Sequence, residues 1–125
     1  MLSFAYLFFY FSMHRHIKNI YLSLFVSKAK NWFKVLRLIE RLDGPGSYFY
    51  IHVDARQSYL YDRLVEITRD KDNVRMVETR FTTIWGGSSL LSMLLTCISQ
   101  LLLIKEWKWD FVLNLSESDY PVKTR

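Results

Sequence analysis

Hydrophobic and polar residues follow two different spacings along this chain, and each spacing predicts one kind of element. Short apolar runs rich in β-branched and aromatic side chains predict strands. Longer stretches with apolar residues three and four positions apart predict amphipathic helices. The predicted strands cover residues 19–26, 48–53, 73–77 and 110–115, and the predicted helices cover 28–42, a stretch that follows an N-cap at Ser58, and 88–105.

The spacing within the first two helices also predicts which side chains face the core. Ser58 has a side chain suited to capping the second helix, and residues 43–46 (DGPG) break the first one. The predicted inward faces are Trp32, Leu36, Ile39 and Leu42 in the first helix, and Leu60, Leu64 and Ile67 in the second.

The alternation of strands with helices predicts right-handed βαβ units and therefore an α/β fold. We expect a mostly parallel, Rossmann-like sheet with helices on both faces. Ligands of such sheets bind outside the carboxyl ends of the strands. That edge is formed by Ser27 and the residues after it, 54–58, 78–87 and 116–121. The domain is expected to be truncated, because the sequence ends at Arg125 in one of these loops.

Composition supports one folded domain and removes several functional classes. Of the 125 residues, 50% are hydrophobic and 17% aromatic, which argues against disorder. The net charge of +5 is scattered over predicted helix surfaces without a recognition motif, so no nucleic acid partner is expected. The single cysteine, Cys97, lies in an apolar run and is expected to be a buried thiol.

The N-terminal residues differ from the rest, and we separate an extension (1–18) from the domain (19–125). Residues 1–11 are strongly apolar, and His14, Arg15, His16 and Lys18 follow them. The apolar run is too short for a transmembrane helix, and its charge follows the run instead of preceding it as in a signal peptide. A signal-anchor remnant, an incorrect start and a simple apolar extension all stay open.

Candidate chemistry lies at the predicted carboxyl edge of the sheet. The turn after the first strand (VSKAK, 26–30) lacks the glycines of a dinucleotide fingerprint, so an NAD role is not expected. Asp54 ends the second strand, where its carboxylate either accepts hydrogen bonds from a ribose or base or only caps the next turn. His52 is predicted to be packed at or near the core. Trp85, beside Gly86 and Gly87, forms either a wall for a base or sugar or a plug at the sheet edge.

Two carboxylates follow the last strand. Glu117 and Asp119 have the spacing to hold Mg²⁺ or Mn²⁺ against a diphosphate, but the spacing alone is weak evidence for a metal site because acidic turns are common. His14 and His16 have a possible ligand spacing but lack a third ligand.

Three segments, taken in order and spacing, resemble the peptide O-xylosyltransferase family. They are IHVD (51–54), TIWGGSSLL (83–91) and WDFVLNLSESDYPVKT (109–124). This family is related to the branching β-1,6-N-acetylglucosaminyltransferases, and the TIWGG element favours the xylosyltransferase side. The resemblance implies a GT-A-like enzyme that transfers xylose from UDP-xylose, with inversion, to a serine of a proteoglycan core protein. That reaction begins the linker for heparan and chondroitin sulfate. The resemblance also implies a single-pass Golgi membrane protein with a lumenal catalytic domain and no metal requirement.

The resemblance further assigns residues to the donor site. Val26, Asp54, Thr83, Ile84 and Trp85 are expected to contact the UDP-sugar. Asp119, together with Glu117, is expected to shape the active-site loop instead of binding a metal. The family's catalytic base and the basic residues that stabilise the leaving UDP lie downstream, so this chain alone is expected to be inactive. The alternatives are a branching N-acetylglucosaminyltransferase, a non-catalytic nucleotide-sugar-binding protein and a basic membrane-surface protein.

Overall fold

Strands and helices alternate in the computed structural model, which describes residues 20–26, 32–84, 86–108 and 110–121. The predicted extension (1–18) and the start of the predicted first helix lie outside these ranges. The elements are β1 (Ile20–Val26), α1 (Trp32–Leu42), β2 (Ser47–Val53), α2 (Ser58–Thr68), β3 (Val74–Met76), α3 (Ser88–Leu102) and β4 (Phe111–Ser116).

The strands form one parallel sheet in the order β3-β2-β1-β4. The chain therefore moves outward from β1 through β2 to β3, then crosses back to place β4 on the other side of β1. Val26 lies beside Val53, and Phe25 lies beside Ser116, so β1, β2 and β4 end at one edge. The predicted Rossmann-like α/β fold is confirmed. The reversal of strand order between β1 and β4 is the position where ligands bind in such sheets.

Helices cover both faces of the sheet, as predicted. Alternate residues of β2, including Phe49 and Ile51, belong to the core that α1 and α2 cover. Tyr50 belongs to the opposite core, where it lies with Met93 and Cys97 of α3. Because side chains alternate across a strand, β2 supplies both cores and is buried on both sides. The predicted burial of Cys97 is confirmed.

The predicted inward face of α1 is partly wrong. Val35 and Leu38 are buried together with Ile39 and Leu42, whereas Leu36 is only half-buried. The buried face of α1 is therefore rotated about the helix axis relative to the predicted face, and Leu36 lies at its margin. In an apolar helix of three turns, several adjacent stripes fit the period almost equally well, and the contact with the sheet selects one of them.

Two details of α2 also differ from the prediction. Ser58 is the first residue of the helix, and the N-cap position belongs to Gln57, whose side chain makes no capping hydrogen bond. The preceding turn sets this start, since the Gln57 N–H donates to the Asp54 carbonyl (2.9 Å). Thr68 is buried in addition to Leu60 and Leu64, because its hydroxyl is satisfied by the Leu64 carbonyl at 2.7 Å. Ile67 is half-buried.

Helix α3 is shorter than predicted and has an apolar outer side. It ends at Leu102, where Leu103 N–H and Ile104 N–H turn back to the Gln100 and Leu101 carbonyls, respectively. Among the helices of the described ranges, none has the length and hydropathy required to cross a membrane. The exposed leucines of α3 are Leu91, Leu95 and Leu102.

Candidate functional site

The loops that carry the candidate residues lie at the carboxyl edge of the sheet. Residues 54–58 follow β2, 77–87 follow β3, and 116–121 follow β4, while Val26 ends β1 between β2 and β4. Val26 is fully buried, and its carbonyl accepts the Asp54 N–H at 2.9 Å. Parallel pairing thus continues for one residue beyond the end of β2. It fixes the position from which the Asp54 side chain projects.

Asp54 is fully buried and highly satisfied. Its Oδ1 accepts hydrogen bonds from the Arg56 backbone N–H (3.0 Å) and from Arg56 Nε (2.8 Å). Its Oδ2 accepts from Arg56 Nη2 (2.9 Å), the Thr83 N–H (3.1 Å) and the Thr83 hydroxyl (3.2 Å). Five donors therefore converge on one carboxylate that has no exposed surface. Of the two roles considered for Asp54, capping of the following turn is observed in its bond to the Arg56 N–H, while donor binding stays a prediction.

His52, two residues before Asp54, also binds the loop that follows β3. Residues 52 and 54 lie on the same face of β2, because side chains alternate along a strand. His52 Nε2 accepts the Phe81 N–H at 2.9 Å, and the Phe81 carbonyl accepts the Ala55 N–H at 3.0 Å. His52 in β2 and Asp54 directly after it thus bind the amides of Phe81 and Thr83, respectively. Residues 52–55 and 81–83 therefore form one hydrogen-bonded unit, although the paired residues lie 29 positions apart in the sequence.

The protonation states of Asp54 and His52 match their roles as hydrogen-bond acceptors. Burial alone would raise the pKa of Asp54, but hydrogen bonds from Arg56 and Thr83 and the Arg56 charge outweigh it and hold that pKa below its usual range. Burial lowers the pKa of His52 from 6.5 to about 4, with Asp54 opposing the shift and Arg80 adding to it. At neutral pH Asp54 is therefore ionised, and His52 is a neutral acceptor.

The segment after Thr83 turns outward before α3 begins. The Ile84 carbonyl accepts the Gly87 N–H at 2.9 Å, and the Ile84 N–H donates to the Ser89 hydroxyl at 3.1 Å. Gly86 has a φ of 72°, a left-handed conformation that favours glycine. This turn leaves the Ile84 side chain 68% exposed at the edge of the sheet. Trp85 lies outside the described residues, so both interpretations of its side chain stay open.

The loop after β4 folds back on its own strand end. Asp119 Oδ2 accepts the Ser116 N–H at 2.8 Å and the Ser116 hydroxyl at 3.3 Å, while the Asp119 N–H donates to the Ser116 carbonyl at 3.1 Å. The backbone bond closes a turn over residues 116–119, and the Asp119 side chain satisfies the N–H of the last strand residue. Glu117 is buried. Among the described residues no three potential metal ligands lie together, and metal independence stays an expectation.

The loop after β4 is also tied to α1. The Arg37 guanidinium lies over the Tyr120 ring, 4.5 Å from its centroid. Such a cation–π contact helps to orient the loop relative to α1. The loops after β2 and β4 are therefore both held by side-chain contacts, through Asp54 in the first and through Asp119 and Tyr120 in the second.

The predicted site residues thus gather at one edge but differ in exposure. Val26, Asp54 and Thr83 are covered, and Ile84 is exposed. Their contact with a UDP-sugar stays a prediction. Sequence reasoning missed Arg56, although an arginine two residues after a strand-ending aspartate is a detectable signal for a fork-shaped ion pair. It also missed the acceptor role of His52.

A parallel α/β sheet with a switch point and loops held at its carboxyl edge is consistent with a truncated GT-A-like glycosyltransferase domain. Residues 20–125 match the family model described as Branch, Core-2/I-Branching enzyme. The chain belongs to this family.

Curated relatives refine the position of the chain within the family. The chain is 56% identical over 91 residues to "Xylosyltransferase oxt" of Drosophila pseudoobscura pseudoobscura, which covers 73% of the chain and 10% of the relative. It is 48% identical over 88 residues to "Xylosyltransferase 2" of Canis lupus familiaris, covering 70% and 10%. It is 41% identical over 109 residues to "Xylosyltransferase sqv-6" of Caenorhabditis elegans, covering 85% and 14%. The expected resemblance to xylosyltransferases is confirmed, and the chain spans about a tenth of the length of these relatives.

Proposed function

We propose that this chain forms the donor-nucleotide part of a UDP-xylose:protein xylosyltransferase. The observation that carries the proposal is the hydrogen-bonded unit in which Asp54 binds the Thr83 amide and hydroxyl beside the switch point of the sheet. The names of relatives that are 41–56% identical support the xylosyl donor.

In this proposal each residue of the unit has a distinct role. Ile84 offers an exposed apolar surface to the base or sugar. Asp54 stays ionised and accepts a hydroxyl or N–H of the donor. Because five donors already surround it, the incoming group exchanges with the longest bond, which comes from the Thr83 hydroxyl at 3.2 Å. Val26, fully buried beside Asp54, forms the floor.

The acceptor and the setting are part of the same proposal. The acceptor is a serine of a proteoglycan core protein, and the full-length protein acts in the Golgi lumen on a membrane anchor. Inversion requires a carboxylate that deprotonates the serine and positive charge that stabilises the leaving UDP. We place both outside residues 1–125. No metal is assigned, in keeping with the family resemblance, and Asp119 is proposed to shape the loop after β4 through its bonds to Ser116.

A branching N-acetylglucosaminyltransferase is the second candidate, because the matching family model carries the name of the branching enzymes. The two candidates differ in the donor sugar. A non-catalytic nucleotide-sugar-binding protein would bind the same donor without supporting transfer.

Isothermal titration calorimetry of the chain with UDP, UDP-xylose and UDP-N-acetylglucosamine tests the proposal. We expect UDP-xylose to bind more tightly than UDP-N-acetylglucosamine, and Ile84→Ala to weaken UDP-xylose binding. Leu103→Ala is the matched control, since Leu103 is also exposed (77%) but follows the far end of α3, about 22 Å from its first residue. Tighter binding of UDP-N-acetylglucosamine would favour the branching enzyme, and an absence of saturable binding would contradict the proposal.

A further inference from the structure

Arg56 connects two loops that follow neighbouring strands. It comes two residues after the end of β2, in the turn closed by the Gln57 N–H and the Asp54 carbonyl. Its Nε and Nη2 groups form a fork on the two oxygens of Asp54, at 2.8 and 2.9 Å. The same Nη2 group also donates to the Thr83 carbonyl at 3.0 Å. Three N–H groups of one guanidinium are therefore used in the two loops.

These contacts close a ring of hydrogen bonds. Asp54 binds the Thr83 N–H, and Arg56 binds both the Thr83 carbonyl and Asp54. The peptide groups on both sides of Thr83 are thus fixed, and Ile84 follows directly. A lysine at this position would keep the charge but would lack the planar fork that reaches both oxygens and the carbonyl.

We propose that Arg56 is a positioning residue of the donor site, holding Asp54 and the backbone of Thr83 in the arrangement that presents Ile84 to the nucleotide-sugar. The inference rests on the proposed function, because it assigns a task within that site. It adds a residue that neither the predicted site nor the family match identifies.

The burial of its partner separates this ion pair from an ordinary surface pair. Exposed pairs contribute little to stability, because water screens both charges. Arg63 and Glu66 form such a pair at 3.4 Å, with 43% and 64% of their side chains exposed. The Arg56 side chain is 58% exposed, but that of Asp54 is fully covered. Removal of Arg56 therefore leaves a buried carboxylate without its charged partner, which is costly.

The test compares Arg56→Gln and Arg56→Lys with Arg63→Gln, the same change in the exposed pair. The first measurement is hydrogen exchange of two amides by NMR. The Thr83 N–H is bound by Asp54, whereas the Phe81 N–H is bound by His52 and serves as an internal reference. We expect both Arg56 variants to speed exchange at Thr83 more than at Phe81, and Arg63→Gln to change neither. Equal acceleration at both amides, or none at Thr83, would overturn the inference.

The second measurement is the affinity of the same variants for UDP-xylose. Loss of the charge-assisted hydrogen bonds is expected to weaken binding about tenfold in both Arg56 variants. Wild-type affinity in Arg56→Lys would mean that charge alone is needed, which contradicts the inference while leaving the proposed function intact. A wild-type chain that does not bind UDP-xylose would refute the proposed function itself.

Discussion

Replacement of His52 by glutamine is expected to reduce the loss of stability that the chain undergoes in mild acid. His52 is 1% exposed, and its Nε2 accepts the Phe81 N–H at 2.9 Å. Protonation would turn that acceptor into a donor facing another donor, inside a region where a charge is poorly solvated. Folding therefore favours the neutral imidazole, whose pKa falls from 6.5 to about 4.

The direction and size of the effect follow from this pKa change. The His52 imidazole binds its proton more weakly in the folded state than in the unfolded state. The contribution of His52 to stability is therefore complete above pH 6.5 and is lost as the pH falls towards 4. Each pKa unit corresponds to about 1.36 kcal/mol, so a shift of roughly 2.5 units corresponds to about 3 kcal/mol. The depressed pKa of Asp54 acts in a lower window, because its stabilisation is lost only below about 3.8.

Urea unfolding of the wild type and His52→Gln at a series of pH values from 7 to 4 measures this contribution. Glutamine keeps an acceptor near the position of Nε2 but does not titrate, so its free energy of unfolding should decline less over this range. His52→Leu removes the acceptor as well, and it should be less stable than His52→Gln at pH 7. Parallel declines in the wild type and His52→Gln would refute the assignment of the acid sensitivity to this buried imidazole.

Two further substitution tests and one activity assay probe the fold and the site. Leu64→Ala, at a fully buried position, should lower the free energy of unfolding by about 2–5 kcal/mol in urea titrations, whereas Val65→Ala, 38% exposed, should cost less than about 1 kcal/mol; equal costs would contradict the assigned core. Gly87→Ala would place a Cβ 3.1 Å from the Ile84 carbonyl oxygen, so it should displace Ile84 and weaken UDP-xylose binding in calorimetry, and an unchanged affinity would argue against that role. The chain should transfer no xylose to a Ser-Gly acceptor peptide, and a xylosylated product detected by mass spectrometry would overturn that expectation.

Local patterns in the sequence were sufficient to predict the elements and the class of fold. The β-branched and aromatic runs predicted all four described strands to within a few residues, since such runs have few other stable arrangements when helices alternate with them. The burial of His52 was also predicted from alternation along β2, and the structure confirms it.

The sequence was less informative where several local conformations or helix orientations have similar free energies. Packing against the sheet selected Val35 and Leu38 over Leu36, and the turn closed by Asp54 moved the helix start to Ser58. Neither the buried face of α1 nor the first residue of α2 is determined by the residues of a single helical turn. Local periodicity therefore predicts that a helix is amphipathic more reliably than it predicts which stripe is buried.

The hydrogen bonds within the candidate site could not be predicted from local patterns in the sequence. The bond from Arg56 to the Thr83 carbonyl joins residues 27 positions apart, and the bond from the Thr83 amide to Asp54 spans 29. Such contacts depend on the sheet order, which brings the ends of β2 and β3 together. The sequence offered two roles for Asp54, and only the assembled sheet reveals that one carboxylate caps its own turn and also binds the next loop.

Mapping of UDP-xylose on the chain by two-dimensional ¹H–¹⁵N NMR tests the central claim most directly. We expect saturable shifts of the backbone amides in 54–57 and 81–87, at the carboxyl edge of the sheet, and little change at Leu103 beyond the far end of α3. Saturable shifts centred on the far end of α3, or no saturable shift at any amide, would contradict the assignment of this edge as a nucleotide-sugar site.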